Sequence, residues 1–282
     1  MDAVLTLVGI AAAAGLSVWA LVSRWPNHDP AAPRLRSRLH TRLDPGVFTG
    51  LALTLAVGAA VLGVAAAGLL LLMIRTETGV AHYDLSFARW GASHATSGST
   101  TVLRRLSDLG GTLGVVSLSV IVGTIEYRRL ANRAIPALLV LTVGGQFAVV
   151  NLVKVIVDRA RPDLEQLTGF SSSSFPSGHA AAAAATFAAL ALLLGRRRSR
   201  RVRAVLAGLA VGVAVTVAGT RVLLGVHWLT DVLAGLAVGW AWFALWSIAF
   251  GGRLLHFGAP AEPAGPADDR AGPDAALSRS GR

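Results

Sequence analysis

The chain has 282 residues, a formal net charge of +11 and no cysteine. Hydrophobic residues make up 54% of it and charged residues only 15%, against roughly 25% charged residues in soluble globular domains, so the composition predicts a membrane protein. The lack of cysteine excludes disulfides, thiolate metal sites and a cysteine nucleophile. Nucleic-acid binding is not indicated by the positive charge, because the arginines lie in short clusters between apolar segments, as in the cytoplasmic loops of membrane proteins.

Seven apolar segments are predicted to cross the bilayer as helices. The first covers residues 4–22. A signal peptide is the alternative for it, but the preceding Met1-Asp2 carries no basic residue and no small-x-small cleavage site follows, so an uncleaved helix is favoured. The other six segments are predicted at residues 47–74, 111–125, 134–157, 178–195, 202–226 and 228–250.

The polar segments between these spans give an orientation and a division of the chain. Arginine-rich stretches at 24–42, 126–133 and 196–203 are typical of cytoplasmic loops, so the N-terminus is predicted outside and the C-terminus inside. Residues 75–110 form a polar connection of mixed charge with a short interfacial helix at 83–90. The Pro-, Gly- and Ala-rich end is predicted to be disordered. Three parts follow: 1–43, an extra helix with a basic cytoplasmic linker; 44–252, a six-helix membrane domain; and 253–282, a cytoplasmic tail.

Ionisable residues cluster at the span ends that face away from the arginine-rich loops. They are Lys154, Arg161, His179, Arg221, His227 and Asp231. Ionisable residues inside or at the edge of a membrane bundle are costly and mark a functional site by default. The alternatives are snorkelling side chains at helix ends and, for His227 beside Trp228, an interfacial pair.

The spacing of these residues suggests how they meet. Lys154 and Arg161 are seven residues apart and share a face if the helix continues to Pro162, which then helps to end it. His227 and Asp231 are four residues apart and also share a helix face. The carboxylate then accepts a hydrogen bond from one ring nitrogen and leaves the other nitrogen basic and nucleophilic.

A helix start lies in the stretch that ends at His179. The apolar run 180–194 predicts a buried helix, so Ser177, Gly178 and His179 fall at its N-terminus. Unsatisfied N–H groups and a partial positive charge suit an anion there. Pro176 fits the first turn, and Gly178 lets an anion approach the backbone closely.

The full set has the composition of a site for phosphoryl transfer without a metal. Three cations neutralise phosphate oxygens, one histidine attacks phosphorus and the other protonates the leaving oxygen. A zinc site made of His179, His227 and Asp231 is the alternative, which the neighbouring cations disfavour because they repel a metal ion.

Other polar residues of this region receive less specific interpretations. Gln146 and Asn151 are predicted to form interhelical hydrogen bonds. The loop residues are interpreted as solvated, with Arg159 as an aid in attracting an anion; they are Asp158, Arg159, Asp163 and Glu165.

Three separated motifs occur in order with their internal spacing kept: Lys154-x6-Arg161-Pro162, Pro176-Ser177-Gly178-His179 and Thr220-Arg221-x5-His227-x3-Asp231. Together they resemble the three-part signature of the type 2 phosphatidic acid phosphatase (PAP2) superfamily, K-x6-R-P, P-S-G-H and S-R-x5-H-x3-D. Thr220 replaces the family's serine and keeps a hydroxyl group. The resemblance covers roughly residues 47–250 and implies a six-helix membrane core.

The resemblance also implies roles for the residues. His227 would form a phosphohistidine intermediate, Asp231 would orient it, and His179 would be the general acid. The phosphate would be held by Lys154, Arg161, Arg221, Ser177 and Gly178, with no metal or cofactor. The implied substrate is a lipid phosphate or pyrophosphate at the outer leaflet, such as polyprenyl pyrophosphate, phosphatidic acid or phosphatidylglycerol phosphate. Two alternatives stay open: a phosphotransferase of the same family, and a lipid transporter, scramblase or inactive binding protein that retains the site.

Overall fold

The computed structural model describes residues 2–24, 49–163, 173–196 and 198–254, and these residues form an all-α fold with no strand among them. Nine helices follow one another in the described part of the chain: α1 (Asp2–Arg24), α2 (Thr49–Thr76), α3 (Asp84–Ser93), α4 (Ser97–Asp108), α5 (Thr112–Leu130), α6 (Ala134–Val157), α7 (Gly178–Gly195), α8 (Arg200–Leu223) and α9 (Leu229–Leu254). A 3₁₀ turn, Gly79–Tyr83, precedes α3, and a π-helical turn, Val140–Gly144, lies within α6.

Among the described residues, five helices are long and apolar enough to cross a membrane unbroken: α1, α6, α7, α8 and the first 19 residues of α9. Two bent helix pairs pass the same test of length and composition when the two helices of each pair are taken together. The end of α2 joins Gly79–Ser93 at 55°, and α4 joins α5 at 45°. The predicted polytopic all-α bundle is therefore confirmed. Two of the seven predicted spans, 47–74 and 111–125, correspond to helices that belong to the bent pairs, α2 and α5.

Two local predictions change. The connection 75–110 is mostly helical: α3 contains the predicted interfacial segment, and α4 was not predicted, although Thr96 and Ser99 form a capping box at its start. Helix α8 ends at Leu223 and not at residue 226, because the chain turns at Gly225 with a φ of +69°. The predicted basic linker, which ends at residue 43, lies outside the described residues from residue 25 onward, and the predicted tail, 253–282, does so from residue 255 onward.

Helix α7 is the centre of the bundle and packs against α8 and α9. Its alanines are buried in a core with Val217, Val222 and Leu236. Helix α9 approaches α7 closely at Gly235, where an added Cβ would lie 2.5 Å from the Ser177 carbonyl oxygen. The Ser177 N–H donates to the Asp231 carbonyl at 2.9 Å. These contacts hold the starts of α7 and α9 side by side.

Helix α1 packs along α8 and is part of the fold. At their crossing Gly15 and Gly208 meet so closely that a Cβ on either would lie 2.7 Å from the other's carbonyl oxygen. The start of α1 contributes Ala3 and Leu7 to an apolar cluster with the segment that follows α8, including Leu224 and Val226. The extra helix thus supports the chain just before His227.

Candidate active site

Four helix ends and two loops converge at one end of the bundle. Lys154 lies in the last turn of α6, His179 in the first turn of α7, Arg221 in the last turn of α8 and Asp231 in the first turn of α9. A cavity of about 270 Å³ opens between them. Predicted site residues form part of its wall: Lys154, Arg161, Gly178, His179, Arg221 and His227. The structure therefore brings together residues up to 73 positions apart, from 154 to 227.

The rest of the cavity wall was not predicted. Gly110 and Thr112 come from the bend between α4 and α5, and Phe147, Val150 and Asn151 come from α6. An added Cβ at Gly111 would lie 3.6 Å from His179 Nε2. The adjacent pair Gly110-Gly111 was the available signal, because a glycine pair marks a bend or a close approach of the backbone.

His227 lies in the turn between α8 and α9 and is only 3% exposed. Its ring Nδ1 lies 3.4 Å from Asp231 Oδ2, so the predicted pairing is present at a long distance. Its Nε2 lies 3.4 Å from Arg161 Nη1. A guanidinium can only donate, so Nε2 is the accepting nitrogen and Nδ1 carries the proton toward Asp231. The unprotonated nitrogen is thus the one beside the cavity cation.

Burial lowers the pKa of His227 to about 4, although the hydrogen bond and charge of Asp231 partly oppose that effect. The positive charges of Arg161 and Arg221 act in the same direction as burial. A pKa of about 4 leaves the imidazole neutral at pH 7. A neutral imidazole with a free Nε2 lone pair is the form that can attack phosphorus.

The three cations are held in place by neutral oxygen atoms. Lys154 Nζ donates to the Ser173 carbonyl, Arg161 Nη1 to the Val226 carbonyl at 2.6 Å, and Arg221 Nη1 to Ser107 Oγ at 2.8 Å. Burial lowers the pKa of Arg161, and the charge of Asp231 partly opposes the shift. An arginine stays charged in proteins, so these contacts orient the cations without neutralising them.

The extension of the helix from Lys154 to Arg161, on which their shared face would depend, is not found. Helix α6 ends at Val157, and Asp158 adopts a left-handed conformation with a φ of 42°, so Pro162 ends no helix. The chain folds back instead, and the Ser174 N–H donates to the Arg159 carbonyl at 2.8 Å. This return brings Arg161 to the cavity by a loop and not by a shared helix face.

Helix α7 begins at Gly178 beside the cavity, where the sequence predicted a helix start. Ser177 is the N-cap residue, is buried, and makes no side-chain cap bond; its hydroxyl has no hydrogen-bond partner among the described residues. Gly178 lines the cavity, and an added Cβ there would meet no atom closer than Val150 Cγ1 at 3.8 Å. The N–H groups of the first turn therefore lie at the cavity, where an anion can accept from them.

Arg159 is not solvated, which corrects the sequence-based interpretation. Its side chain is 16% exposed and forms ion pairs with Asp231 at 2.6 Å and with Asp84 at 2.9 Å. Asp158 and Asp163 are exposed as expected, and Glu165 lies outside the described residues. Asp84 is a buried acid in the segment that was interpreted as a polar connection. Its position after the aromatic Tyr83 did not indicate that it pairs with Arg159.

Two expected interhelical hydrogen bonds are not found. Asn151 Nδ2 donates to the Phe147 carbonyl of its own helix at 2.8 Å, so that prediction is wrong. Gln146 is buried, and its side chain has no hydrogen-bond partner in the part of the chain that the structure describes. Over the same residues, His, Asp and Glu side chains do not form a group of three suited to holding a metal ion.

Comparison with known proteins agrees with this geometry. The family model of the PAP2 superfamily matches residues 135–254. Phosphatidylglycerophosphatase B of Bacillus subtilis is 35% identical over 152 residues, which cover 51% of this chain and 71% of that protein. The chain belongs to the PAP2 superfamily. The resemblance drawn from the three motifs is thereby confirmed.

Further PAP2 relatives are also phosphatases of lipid phosphates. Lipid A 1-phosphatases of Rhizobium johnstonii and Rhizobium etli are each 39% identical to this chain over 121 aligned residues. The aligned region covers 39% of this chain, 46% of the Rhizobium johnstonii protein and 48% of the Rhizobium etli protein. A crystal structure of a transmembrane PAP2 type phosphatidylglycerolphosphate phosphatase from Bacillus subtilis aligns with a TM-score of 0.60 at 26% identity, covering 70% of this chain and 98% of that one. The family match at 135–254 includes all six predicted ionisable residues but not Asp84 or Ser107.

Proposed function

We propose that this PAP2 protein is an integral membrane phosphatase that hydrolyses a lipid phosphate or a lipid pyrophosphate through a phosphohistidine intermediate. The observation that carries the proposal is His227: a neutral, buried imidazole whose unprotonated Nε2 lies beside a cavity lined by three cations. The catalytic unit is the membrane domain, residues 44–252, with 1–43 and 253–282 as appended parts.

Substrate phosphate occupies the cavity and is neutralised by the cations. Lys154, Arg161 and Arg221 bind its non-bridging oxygens. The N–H groups at the start of α7, with the Ser177 hydroxyl, complete the coordination because a helix N-terminus favours an anion. These groups stabilise the charge that develops on the oxygens as phosphorus is attacked.

The first chemical step transfers the phosphoryl group to the enzyme. A bond forms between His227 Nε2 and phosphorus while the bond from phosphorus to the leaving oxygen breaks. His179, which also lines the cavity, gives its proton to that oxygen as the general acid. Asp231 keeps the Nδ1 proton of His227 and stabilises the positive charge of the phosphorylated ring.

The second step returns the enzyme to its starting state. A water molecule attacks phosphorus, His179 takes a proton from it, and the bond between phosphorus and Nε2 breaks. Inorganic phosphate leaves, and the next enzyme cycle begins with a neutral His227. The leaving group of the first step is the lipid alcohol when the substrate is a monoester and the lipid monophosphate when it is a pyrophosphate. Every group used is a side chain or backbone N–H of the chain, so the proposed reaction needs no metal.

The position of the cavity supports a substrate in the outer leaflet. It lies at the bundle end opposite the arginine-rich loops, which the positive-inside rule assigns to the cytoplasm. Lipids of the outer leaflet are therefore the proposed substrates, with phosphatidylglycerol phosphate, phosphatidic acid and polyprenyl pyrophosphate as the candidates. The named phosphatases among the relatives support this class.

The direct test is His227→Ala in the purified protein, with release of inorganic phosphate from these three lipids as the measurement. We expect the wild type to release phosphate and the variant to lose at least about 10³-fold in kcat, as when a nucleophile is removed. His82→Ala changes an exposed histidine of the 3₁₀ turn and is the matched control. Undiminished turnover by the His227 variant would refute the mechanism, and transfer to an acceptor without free phosphate would identify a phosphotransferase.

A second test concerns metals. Because the cations Lys154, Arg161 and Arg221 supply the charge neutralisation, activity is expected to survive dialysis against a chelator such as EDTA. The measurement is phosphate release before and after dialysis, and then with Mg²⁺ or Zn²⁺ added back. Loss of activity on dialysis followed by recovery with a divalent ion would contradict this part of the proposal.

A further inference from the structure

We infer that Arg159, held by Asp84, is a positioning residue that aims the Asp231 carboxylate at His227. The inference rests on the proposed function and extends it to residues outside the three motifs. Asp84 also lies outside the region matched by the family model, residues 135–254. The two residues connect α3 to the catalytic carboxylate.

Both carboxylate oxygens of Asp231 are fixed. Oδ1 accepts from Arg159 Nη1 at 2.6 Å. Oδ2 accepts from the Trp228 N–H at 3.0 Å and lies 3.4 Å from His227 Nδ1. With a donor on each side, the carboxylate cannot turn about its χ2 bond without breaking a charged hydrogen bond. Arg159 thereby determines which oxygen faces the imidazole and at what distance.

Asp84 fixes Arg159 in turn. Its Oδ2 accepts from Arg159 Nη2 at 2.9 Å and from the Thr230 hydroxyl at 2.6 Å, and its Oδ1 accepts from the Thr230 N–H at 2.9 Å. The Thr230 hydroxyl also lies 2.8 Å from Arg159 Nη1. Asp84 therefore anchors both the guanidinium and the first turn of α9, which carries Asp231.

Arg159 is not placed to bind the substrate. Its two terminal nitrogens are directed at Asp231, Thr230 and Asp84. The guanidinium carbon also lies 5.3 Å from the centre of the Trp228 ring. Two carboxylates face this one cation, whereas Lys154, Arg161 and Arg221 point into the cavity. Arg159 is absent from the described residues that line that cavity.

The consequence for the reaction is specific. The distance of 3.4 Å between His227 Nδ1 and Asp231 Oδ2 is long for a hydrogen bond, so a small rotation of the carboxylate decides whether the bond is made. Without Arg159 the imidazole is held less firmly and the cationic phosphohistidine is stabilised less. The chemical step should slow, while binding of phosphate by the other cations should not change.

The test compares Arg159→Gln, Arg159→Lys, Asp84→Asn and the double variant Asp84→Asn/Arg159→Gln in the purified full chain. The measurements are kcat, KM and inhibition by inorganic phosphate. We expect Arg159→Gln to lower kcat about 10- to 100-fold, the range for a catalytic group displaced by about 1 Å, with the Ki of inorganic phosphate changed less than about twofold. Arg159→Lys should recover part of kcat. The double variant should lose less than the product of the single losses, because the two residues act through one contact.

Matched controls separate a local effect from a general one. Arg89→Gln, on the exposed side of α3, and Asp158→Asn, at the exposed end of α6, make the same chemical changes and should leave all three constants unchanged. Thr230→Val removes only the hydroxyl that bridges Arg159 and Asp84. If Arg159→Gln does not fold, Thr230→Val and Asp84→Asn decide the question, with a several-fold lower kcat at unchanged Ki expected.

Three outcomes would overturn the inference. One is an unchanged kcat in Arg159→Gln, Asp84→Asn and Thr230→Val. Another is a weaker affinity for inorganic phosphate in step with kcat, which would make Arg159 a phosphate ligand. A third is fully multiplicative losses in the double variant. His227→Ala, measured in the same assay, distinguishes the two proposals. If His227→Ala retains activity, the phosphohistidine mechanism fails. If His227→Ala is inactive while the Arg159 and Asp84 variants keep wild-type activity, only the proposed role of Arg159 and Asp84 fails.

Discussion

At the scale of single residues, His227 shows how a buried histidine is kept ready to attack. Its turn is fixed by backbone bonds, since the N–H groups of Val226 and His227 both donate to the Arg221 carbonyl at 3.2 Å. Burial and the neighbouring cations oppose protonation, and Asp231 opposes them only in part. A histidine left in water would be partly protonated near its usual pKa of about 6.5, and protonation removes the lone pair that attack requires.

This environment gives a prediction for the pH dependence of activity. The pKa of His227 is lowered to about 4, so the inactive protonated form accumulates only as the pH falls through about 4. The acid limb of kcat/KM, which reports the free enzyme, is expected there and not near 6.5. The second ionisation of the lipid phosphate is followed separately by ³¹P NMR and divided out. A corrected acid limb between pH 6 and 7 would contradict a neutral, buried His227.

Site residues could be predicted from the sequence only where they belong to one of the three motifs. His227 and Asp231 are four residues apart, so helical spacing alone indicated their contact. Arg159 and Asp84 are 75 residues apart, and pairing across that distance depends on how α3 folds against α9. The surroundings of both residues in the chain are polar, which is equally typical of solvated loops.

At the scale of helices, the spans could be predicted because long apolar runs mark them directly. The bends could not. Helix α4 buries Ser99, Leu103 and Ser107, a face of mixed polarity that gives no apolar stripe. The end of α6 depends on Asp158 adopting the left-handed conformation, which is uncommon for any residue other than glycine. The end of α6 at Val157 agrees with the predicted span, whereas α8 ends at Leu223 and not at the predicted residue 226.

The close contact between α1 and α8 predicts that a larger residue at Gly15 lowers the stability of the protein. In Gly15→Leu the new side chain meets the Gly208 backbone, where even a Cβ would lie 2.7 Å from the carbonyl oxygen. Overpacking costs about 1–3 kcal/mol, more than the gain of up to about 1 kcal/mol in helix propensity. We expect a melting temperature several degrees lower in detergent, with reduced activity because α1 also covers Leu224 and Val226.

Gly9 provides the matched control on the same helix. An added Cβ there would meet no atom within 4 Å, so Gly9→Leu gains propensity without a clash. Its melting temperature should equal or slightly exceed that of the wild type. Equal melting temperatures for Gly15→Leu and Gly9→Leu would show that α1 does not pack on α8 through this glycine.

At the scale of the whole molecule, the two ends of the bundle differ in how their charges are arranged. The segment 196–203 contains arginines and no acidic residue. At the other end Lys154, Arg161 and Arg221 line the cavity, and Arg159 lies beside Asp84 and Asp231. A cluster of arginines without acidic residues is typical of a cytoplasmic loop. We therefore propose that the cavity lies on the outer side.

The absence of cysteine from the sequence makes this orientation easy to test. Asp163→Cys and Arg198→Cys each place one thiol at an exposed position, the first in the loop beside the cavity and the second between α7 and α8. A membrane-impermeant maleimide should label the Asp163 variant in intact cells and the Arg198 variant only after permeabilisation. The cysteine-free wild type is the control for background labelling. The reverse pattern would place the cavity on the cytoplasmic side, and the proposed substrates would then be lipids of the inner leaflet, with the chemistry of His227 unaffected.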